Sequence, residues 1–353
     1  MSKLVTGDGR THVESPSIRT EPAARRLVLA LLLAASAGAA AACSKSGSEG
    51  AVGSPVVHIA ISIDWEGAYF RTEALDAVDR FRRDNPGVPL THMLNAAYYT
   101  KADADPTEAT REIRLAVKKG DETGLHIHCW KSLLEASGVK MRAVPSFLGS
   151  EGGMVIEGDP GFDLDLSAFT VAEVRAVMKK SRQILDAEHI AVGPSFRAGG
   201  WIGTPGVLEA ARAEGFTIDS SATDPAWLDE PEGRALQARL RQVWSRVDQT
   251  TQPFWIDTPA GRILEMPDTG AMADYLTVPE IQAHVERAVA AVRAAPGRPV
   301  FVHLGFHAET ADDFAPRVSQ ALSVLRARKT PMVFETMSRS AELARRALEA
   351  QAR

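Results

Sequence analysis

Acidic and histidine side chains recur at alternate positions in short segments of this chain. Asp64 and Glu66 follow the apolar run 56–63, and His126 and His128 alternate with apolar neighbours. Residues i and i+2 of a β-strand point to the same face. Each pair therefore presents two polar side chains together, at the end of a predicted strand.

A third segment, 300–307, shows the same alternation. His303 and His307 stand among apolar residues there, and with His126 and His128 they make up four of the nine histidines. Because α/β barrels carry their active sites at the carboxyl ends of the strands, we expect these side chains to meet at one barrel mouth.

Two carboxylates and a pair of histidines form a ligand set for a borderline divalent cation. Imidazole and carboxylate ligands with an open position suit catalytic Zn²⁺, with Co²⁺, Ni²⁺ or Mn²⁺ as substitutes. Such a cation acidifies a bound water, which then acts as a nucleophile while a second carboxylate takes its proton. The sequence predicts a metal site involving Asp64, Glu66, His126 and His128. The alternative for a lone strand-end residue is a purely structural hydrogen bond.

The elements that must position these residues alternate in type along the chain. Short apolar runs alternate with amphipathic ones, which indicates βα units and a mainly parallel sheet. Residues 132–168 are irregular and glycine-rich, which suggests a lid or a substrate rim. The segment 225–262 is ambiguous, with a helical stretch at 232–241 and a strand-like one at 254–257. We predict strands at 56–63, 90–96, 123–129, 195–198, 216–220, 263–266, 299–304 and 332–335, and helices at 72–83, 106–119, 171–187, 205–214, 278–295, 314–328 and 338–350.

The pattern favours one α/β barrel over 55–350, with seven or eight βα units, rather than two domains. The chain has 353 residues, of which 45% are hydrophobic and 24% are charged, as in an ordinary globular protein. A net charge of -5 leaves no basic surplus for a phosphate backbone, so nucleic acid is not expected as a partner.

The N-terminal segment resembles a bacterial lipoprotein signal. Arg25 and Arg26 precede a charge-free apolar run that ends at Cys43, and a Gly/Ser-rich stretch follows. This predicts a signal peptide over 1–42, lipidation of Cys43 and a flexible tether over 43–54. The protein would be exported and held at the membrane by its lipid alone, on the periplasmic or extracellular face. The alternative is a plain cleaved signal peptide with an incidental cysteine.

Five ordered motifs resemble those of the NodB-homology polysaccharide deacetylases, carbohydrate esterase family four. The resemblance spans roughly 55 to 340 and implies a distorted (β/α) barrel that removes acetyl groups from N-acetylated sugars with a divalent metal. The matching segments are 61–67, 122–128, 195–201, 215–221 and 300–303.

The resemblance also implies roles for individual residues. Asp64 corresponds to the general base, and Glu66 to a metal ligand beside the histidines of the second motif. Arg197 corresponds to the arginine that orients the base, and His303 to the general acid. Asp219 falls in the fourth, pocket-forming motif.

The second motif departs from the family pattern. The family places its two histidines four residues apart, but Trp130 stands four residues after His126. Either His128 substitutes or another ligand such as His307 completes the set, and His307 also competes with His303 for the acid role. Trp65 and Trp201 follow motif residues and could stack on a sugar ring or pack at the rim.

The sequence thus predicts a metal-dependent hydrolase that removes acetyl groups from N-acylated sugars or cell-envelope polysaccharide. Two alternatives stay open at this point. One is a non-catalytic carbohydrate-binding lipoprotein, and the other is a hydrolase of another amide or of an O-acetyl ester.

Overall fold

The computed structural model describes residues 56–142, 145–228 and 233–351. The predicted signal peptide (1–42), Cys43 and the tether (43–54) lie outside these residues and stay predictions. Among the helices within the described ranges, none is long and apolar enough to cross a membrane.

The described chain alternates strands with helices. The strands are β1 (Val57–Asp64), β2 (Thr91–Leu94), β3 (Glu122–Ile127), β4 (Val155–Ile156), β5 (Asp159–Pro160), β6 (Ser195–Ala198), β7 (Ile218–Asp219), β8 (Phe254–Thr258), β9 (Gly261–Glu265), β10 (Val300–His307) and β11 (Met332–Glu335). The α-helices are α1 (Thr72–Asp84), α2 (Pro106–Ala116), α3 (Lys131–Ala136), α4 (Val171–Ala187), α5 (Pro205–Ala213), α6 (Arg234–Val243), α7 (Val278–Ala294), α8 (Ala311–Ala327) and α9 (Met337–Gln351).

A curled, mostly parallel sheet forms the centre of the fold. Its strand order is β10-β1-β2-β3-β6-β7-β9-β8, and β11 also pairs with β1. In the described ranges, each of the eight parallel strands β1, β2, β3, β6, β7, β9, β10 and β11 is followed by a helix. At one edge of this sheet, β8 runs antiparallel to β9. The predicted α/β class, a distorted barrel with seven or eight βα units, is confirmed.

Two features make the barrel irregular. β1 pairs with β10 along its whole length, and also with β11 near its start and with β2 near its end. The second feature is the closure of the barrel by the segment after β9, which does not form a regular strand. Two contacts join this segment to β10: Gly270 N–H donates to the His303 carbonyl (2.9 Å), and Met272 forms a bridge with Gly305.

Residue alternation explains why β1 lies at the centre. Its odd-numbered residues Ile59, Ile61 and Ile63 are fully buried in the core that the strands share with the helices. α1 covers this side with Ala74, Ala77, Val78 and Phe81, which recur at helical spacing. The even-numbered side chains of β1 face the barrel interior, and Asp64 lies at its mouth.

The segment predicted to be irregular contains regular structure. α3 occupies its start, and β4 and β5 form a short antiparallel hairpin. Six helical residues and two-residue strands are too short to produce a recognisable hydrophobic period, so pattern analysis missed them. Residues 145–168, which include this hairpin, are called the lid below.

Candidate active site

Strand register brings the predicted residues to one end of the barrel. Asp64 is the register partner of His307, and His126 is the partner of Arg197. Because these strands are parallel, their carboxyl ends meet at the same edge. Side chains that are far apart in sequence therefore surround one cavity.

Glu66, His126 and His128 form a buried cluster whose ligand atoms lie within 4.8 Å of one another. His128 Nε2 lies 2.5 Å from Glu66 Oε2, and His126 Nε2 lies 3.4 Å from Glu66 Oε1. The Nδ1 atoms point away: that of His126 donates to the Arg197 carbonyl (3.1 Å), and that of His128 donates to the Phe162 carbonyl (2.6 Å). Both Nε2 lone pairs are therefore directed at the cluster.

This cluster fits a divalent cation. His126 Nε2 is buried and has no hydrogen-bond partner. A buried acceptor of this kind costs free energy of folding unless a ligand such as a metal ion binds to it. Metal-bound histidines commonly donate their second ring N–H to a carbonyl or carboxylate, as both histidines do here. Burial would raise the pKa of Glu66, but His128 and His126 outweigh burial and hold it well below its usual range. Carboxylate and imidazole are ligands that Zn²⁺ accepts.

Asp64 lies beside this cluster in an ion pair with Arg197. Arg197 Nη1 donates to Asp64 Oδ1 (2.7 Å) and to Ser62 Oγ (3.0 Å), while its Nε donates to the Ser220 carbonyl (2.9 Å). The guanidinium is buried. Burial would lower the pKa of Arg197, but Asp64 and Asp268 raise it above its usual value. Arg197 thus fixes the Asp64 carboxylate at the floor of the cavity.

His307 also lines this cavity. Its Nδ1 is 3.0 Å from Asp274 Oδ2, and its Nε2 is 3.5 Å from Glu66 Oε1. Burial would lower the pKa of His307, but Asp274, Glu66 and Asp64 raise it to about 10. Asp64, Glu66 and His307 also form a second set of closely spaced ligand atoms, so His307 is placed to donate a proton or to contribute a ligand.

His303 has a different environment. It lies four positions before His307 on β10, roughly 13 Å deeper at the usual rise per residue. Its Nε2 is 2.9 Å from Ser62 Oγ and its Nδ1 is 3.1 Å from Ser220 Oγ. Burial and the neighbouring Arg197 lower the pKa of His303 well below its usual value. His303 does not line the cavity, so it is not placed to donate a proton directly to a molecule bound there.

The cavity has a volume of about 270 Å³ and mixed walls. Asp64, Glu66, His126, His128 and Arg197 lie on its polar side, and the lid contributes much of its apolar side. Its aromatic lining residues are Tyr69, Phe147, Phe162, Trp201 and Tyr275.

The predicted substrate-binding residues divide into two groups. Trp201 and His307 line the cavity, but Trp65 and Asp219 do not. Trp65 faces the helix layer, where its Nε1 donates to His92 Nδ1 (3.1 Å). Asp219 is buried and accepts a hydrogen bond from Ser221 Oγ (2.8 Å). These positions exclude direct contact of Trp65 or Asp219 with a ligand in this cavity.

Sequence analysis missed two carboxylates of the site, Glu309 and Asp274. Glu309 accepts hydrogen bonds from the backbone N–H groups of Glu66 (3.1 Å) and Ala68 (3.2 Å), and from the Tyr98 hydroxyl. Burial and the nearby Glu66 raise its pKa to about 7. Both residues follow barrel segments in irregular backbone, where no periodicity marks them. Glu309 lies two positions after His307, the last residue of β10. Extending the alternation of the strand past its end would have placed Glu309 on the same face as His307.

No family model matches this chain. No curated protein matches it either.

Several solved structures share similarity with the chain. A probable polysaccharide deacetylase from Pseudomonas aeruginosa PAO1 is 12% identical, covers 83% of this chain and 92% of its own, and has a TM-score of 0.49. The PuuE allantoinase is 12% identical, with coverages of 83% and 91% and a TM-score of 0.47. A family 4 carbohydrate esterase from Streptomyces lividans, in complex with acetate, is 9% identical, with coverages of 79% and 91% and a TM-score of 0.40. Two of these three structures carry the names of a polysaccharide deacetylase and of a family 4 carbohydrate esterase.

Proposed function

We propose that this protein is a metal-dependent hydrolase that removes acetyl groups from N-acylated sugars or cell-envelope polysaccharide. One observation carries the proposal. Glu66, His126 and His128 converge with both Nε2 atoms directed inward, immediately beside a carboxylate that a buried arginine holds in place. This combination suits hydrolysis, because one group of side chains can hold a metal while a separate carboxylate accepts a proton from water.

In this mechanism, Glu66, His126 and His128 hold the cation. When bound, a divalent cation would supply Lewis acidity, which lowers the pKa of water and polarises a carbonyl. The ligands and the cavity lining leave room for an acyl group at this point.

Asp64 accepts the proton of the attacking water, since its carboxylate lines the cavity and is held by Arg197. Arg197 acts as a positioning residue, because its other donors are anchored to Ser62 and Ser220. It keeps one Asp64 oxygen engaged and leaves the other for the water.

We assign protonation of the departing amine to His307 rather than to His303. His307 lines the cavity and is oriented by Asp274, whereas His303 lies in the barrel interior. Direct donation requires the acid to come within hydrogen-bond reach of the leaving nitrogen, and only His307 of the two has that access.

The test combines metal analysis with acetate release from a panel of N-acetylated glycans. His126→Ala should lower metal affinity at least about tenfold, the loss typical of disturbing even outer contacts of a metal site. His58→Ala is the matched control, because His58 lies at the other end of β1, where it contacts Glu335. Full metal occupancy in His126→Ala at limiting metal would refute the ligand set.

The catalytic roles are tested separately. Asp64→Asn preserves shape but cannot accept a proton, so kcat should fall by roughly 10² to 10⁴ with metal content unchanged. His307→Ala should slow substrates with basic leaving amines more than those with weakly basic ones, and His303→Ala should not show this dependence. Undiminished turnover by Asp64→Asn would overturn the mechanism. Glycan binding without acetate release in the wild type would instead favour the non-catalytic alternative.

A further inference from the structure

The rim of the cavity is joined from one element to the next. The lid packs on the turn after β6 so closely that a Cβ at Gly200 would lie 3.0 Å from the Phe147 ring. Beyond that turn, Trp201 contacts Tyr275, with ring centroids 5.8 Å apart. This half of the rim therefore has no gap through which a chain could leave.

The other half of the rim is joined by polar contacts. Thr310 donates to Asp274 Oδ2 (3.3 Å), which connects the segment after β9 to the segment after β10. Glu309 then bridges to the backbone N–H groups of Glu66 and Ala68. The wall runs in this way from the lid around to the segment that follows β1.

The lid is a fixed part of this wall. The Asp163 side chain accepts hydrogen bonds from the hydroxyls of Ser146 and Ser150 and from Met154 N–H (2.5 Å). A Cβ at Gly161 would lie 2.2 Å from the Cys129 carbonyl oxygen, so the lid lies directly on the segment after β3. The Asp163 hydrogen bonds hold the lid together, whereas the packing of Gly161 on Cys129 and the hydrogen bond from His128 Nδ1 to the Phe162 carbonyl hold it against the barrel and oppose its opening into a groove.

Among the described residues of the rim, neither ring packing nor a hydrogen bond joins Tyr69 to the tip of the β4–β5 hairpin. A second cavity of about 160 Å³ lies there, and it shares Ala68 and Tyr69 with the first. Lys101 and Glu157 line this second cavity. A ligand can enter between Tyr69 and Ile156, and the joined rim closes the far side of the cavity.

The lining also offers hydrogen-bond acceptors to the ligand. Arg197 is fully engaged with Asp64 and Ser220, and the acidic side chains Glu66, Asp274 and Glu309 share the cavity. Asp274 Oδ1 is buried without a hydrogen-bond partner, so it can accept a hydrogen bond from a hydroxyl or an N–H group.

We infer that the site takes one compact acylated ring at the end of a molecule and excludes the interior of a polymer. The inference rests on the proposed function and specifies its substrate class. The ligand is a monosaccharide derivative or the terminal unit of a chain. A cavity of about 270 Å³ is at the small end of ligand sites, which usually span 300–1,000 Å³, and the joined rim leaves no path for a second neighbouring unit.

The test uses metal-loaded protein with N-acetylglucosamine and its β-1,4-linked oligomers of two to six units. Binding is followed by calorimetry, and the position of any lost acetyl group by mass spectrometry. We expect affinities within about threefold from the dimer to the hexamer, with acetyl loss confined to a terminal unit. Affinity that rises tenfold or more with chain length, loss of internal acetyl groups, or no binding of any of these sugars would overturn the inference. Length-independent binding without acetate release would instead sink the proposed function while supporting the single-ring site.

Two substitutions on one strand test the entrance. Ile156 lines the cavity, and its neighbour Val155 is 62% exposed and points the other way. Ile156→Trp should weaken binding of N-acetylglucosamine at least tenfold, and Val155→Trp should change it less than twofold. Equal effects of the two substitutions, or none from Ile156→Trp, would refute entry between Tyr69 and the lid.

Discussion

Replacing Arg197 with Met should destabilise the protein more than removal of any single surface ion pair. The guanidinium is 1% exposed and forms a 2.7 Å ion pair with Asp64, and it lies 3.8 Å from Asp268. Methionine fills similar space but leaves both carboxylates without a cation. Breaking a buried pair by removing one partner costs roughly 3–5 kcal/mol, because a buried charge remains uncompensated.

The size of this loss should depend on pH. Burial raises the pKa of Asp268 to about 6 even with Arg197 in place, and removal of the cation raises it further. A carboxyl whose folded-state pKa is raised stabilises the fold fully below its unfolded value near 3.9 and loses that contribution as pH rises through the folded value. The penalty of Arg197→Met should therefore be smaller at about pH 5 than at about pH 8.

Urea unfolding of the metal-free protein measures both effects, and a double-mutant cycle isolates the pair. Asp64→Asn should recover at least about 1 kcal/mol in the Arg197→Met background, since contacting residues couple by 0.5–3 kcal/mol. Additive losses, or a penalty below about 1 kcal/mol at both pH values, would refute the view that Arg197 compensates these carboxylates.

Three further outcomes follow from the described contacts. Glu309→Ala removes the acceptor of the backbone N–H groups of Glu66 and Ala68, so metal affinity should fall at least about tenfold; unchanged affinity by calorimetry would contradict this. Burial lowers the pKa of His284 to about 4, so wild type should lose roughly 2 to 3 kcal/mol more than His284→Gln between about pH 7.5 and about pH 4.5, because a depressed folded-state pKa costs stability as pH falls from the unfolded value toward the folded one; parallel urea-unfolding curves would exclude it. Gly161→Ala should cost at least about 1 kcal/mol more than Gly152→Ala, since both glycines have positive φ but only the Cβ at Gly161 would meet backbone; equal midpoints in urea would argue against a fixed lid.

Strand parity predicted much of the candidate site because it depends only on local geometry. The two-residue repeat of a strand placed Asp64 with Glu66 and His126 with His128 on shared faces, and the structure brings the latter three together. Helix α4 was predicted with its observed bounds, and in the structure a capping box of Thr170 and Glu173 marks its start.

Depth along a strand cannot be read from parity. His303 and His307 share a face of β10, but the register of β10 on β1 puts only His307 level with Asp64. That register depends on pairing between segments that are distant in sequence. Trp65, by contrast, could have been assigned to the helix side by extending the alternation of β1 one residue past its end.

Residues in irregular segments carried no usable pattern. Asp274 and Glu309 reach the site because the segment after β9 closes the barrel against β10, a tertiary arrangement that no local period encodes. The β4–β5 hairpin, with two residues in each strand, is likewise defined by its packing.

The pairing of β1 with β10 has a consequence for the order of folding. The Glu66 N–H and the Glu309 carboxylate that holds it are 243 positions apart, and β1 also pairs with β11. Contacts this distant form slowly, since the entropy of closing a long loop must be overcome first. A nascent chain therefore carries its first strand unpaired on one edge until nearly all of the sequence has been synthesised. Asn95 and Trp130 can already donate to the Glu66 carbonyl, but the Glu66 N–H acquires its carboxylate partner only then, so the metal-ligand set is completed late in synthesis.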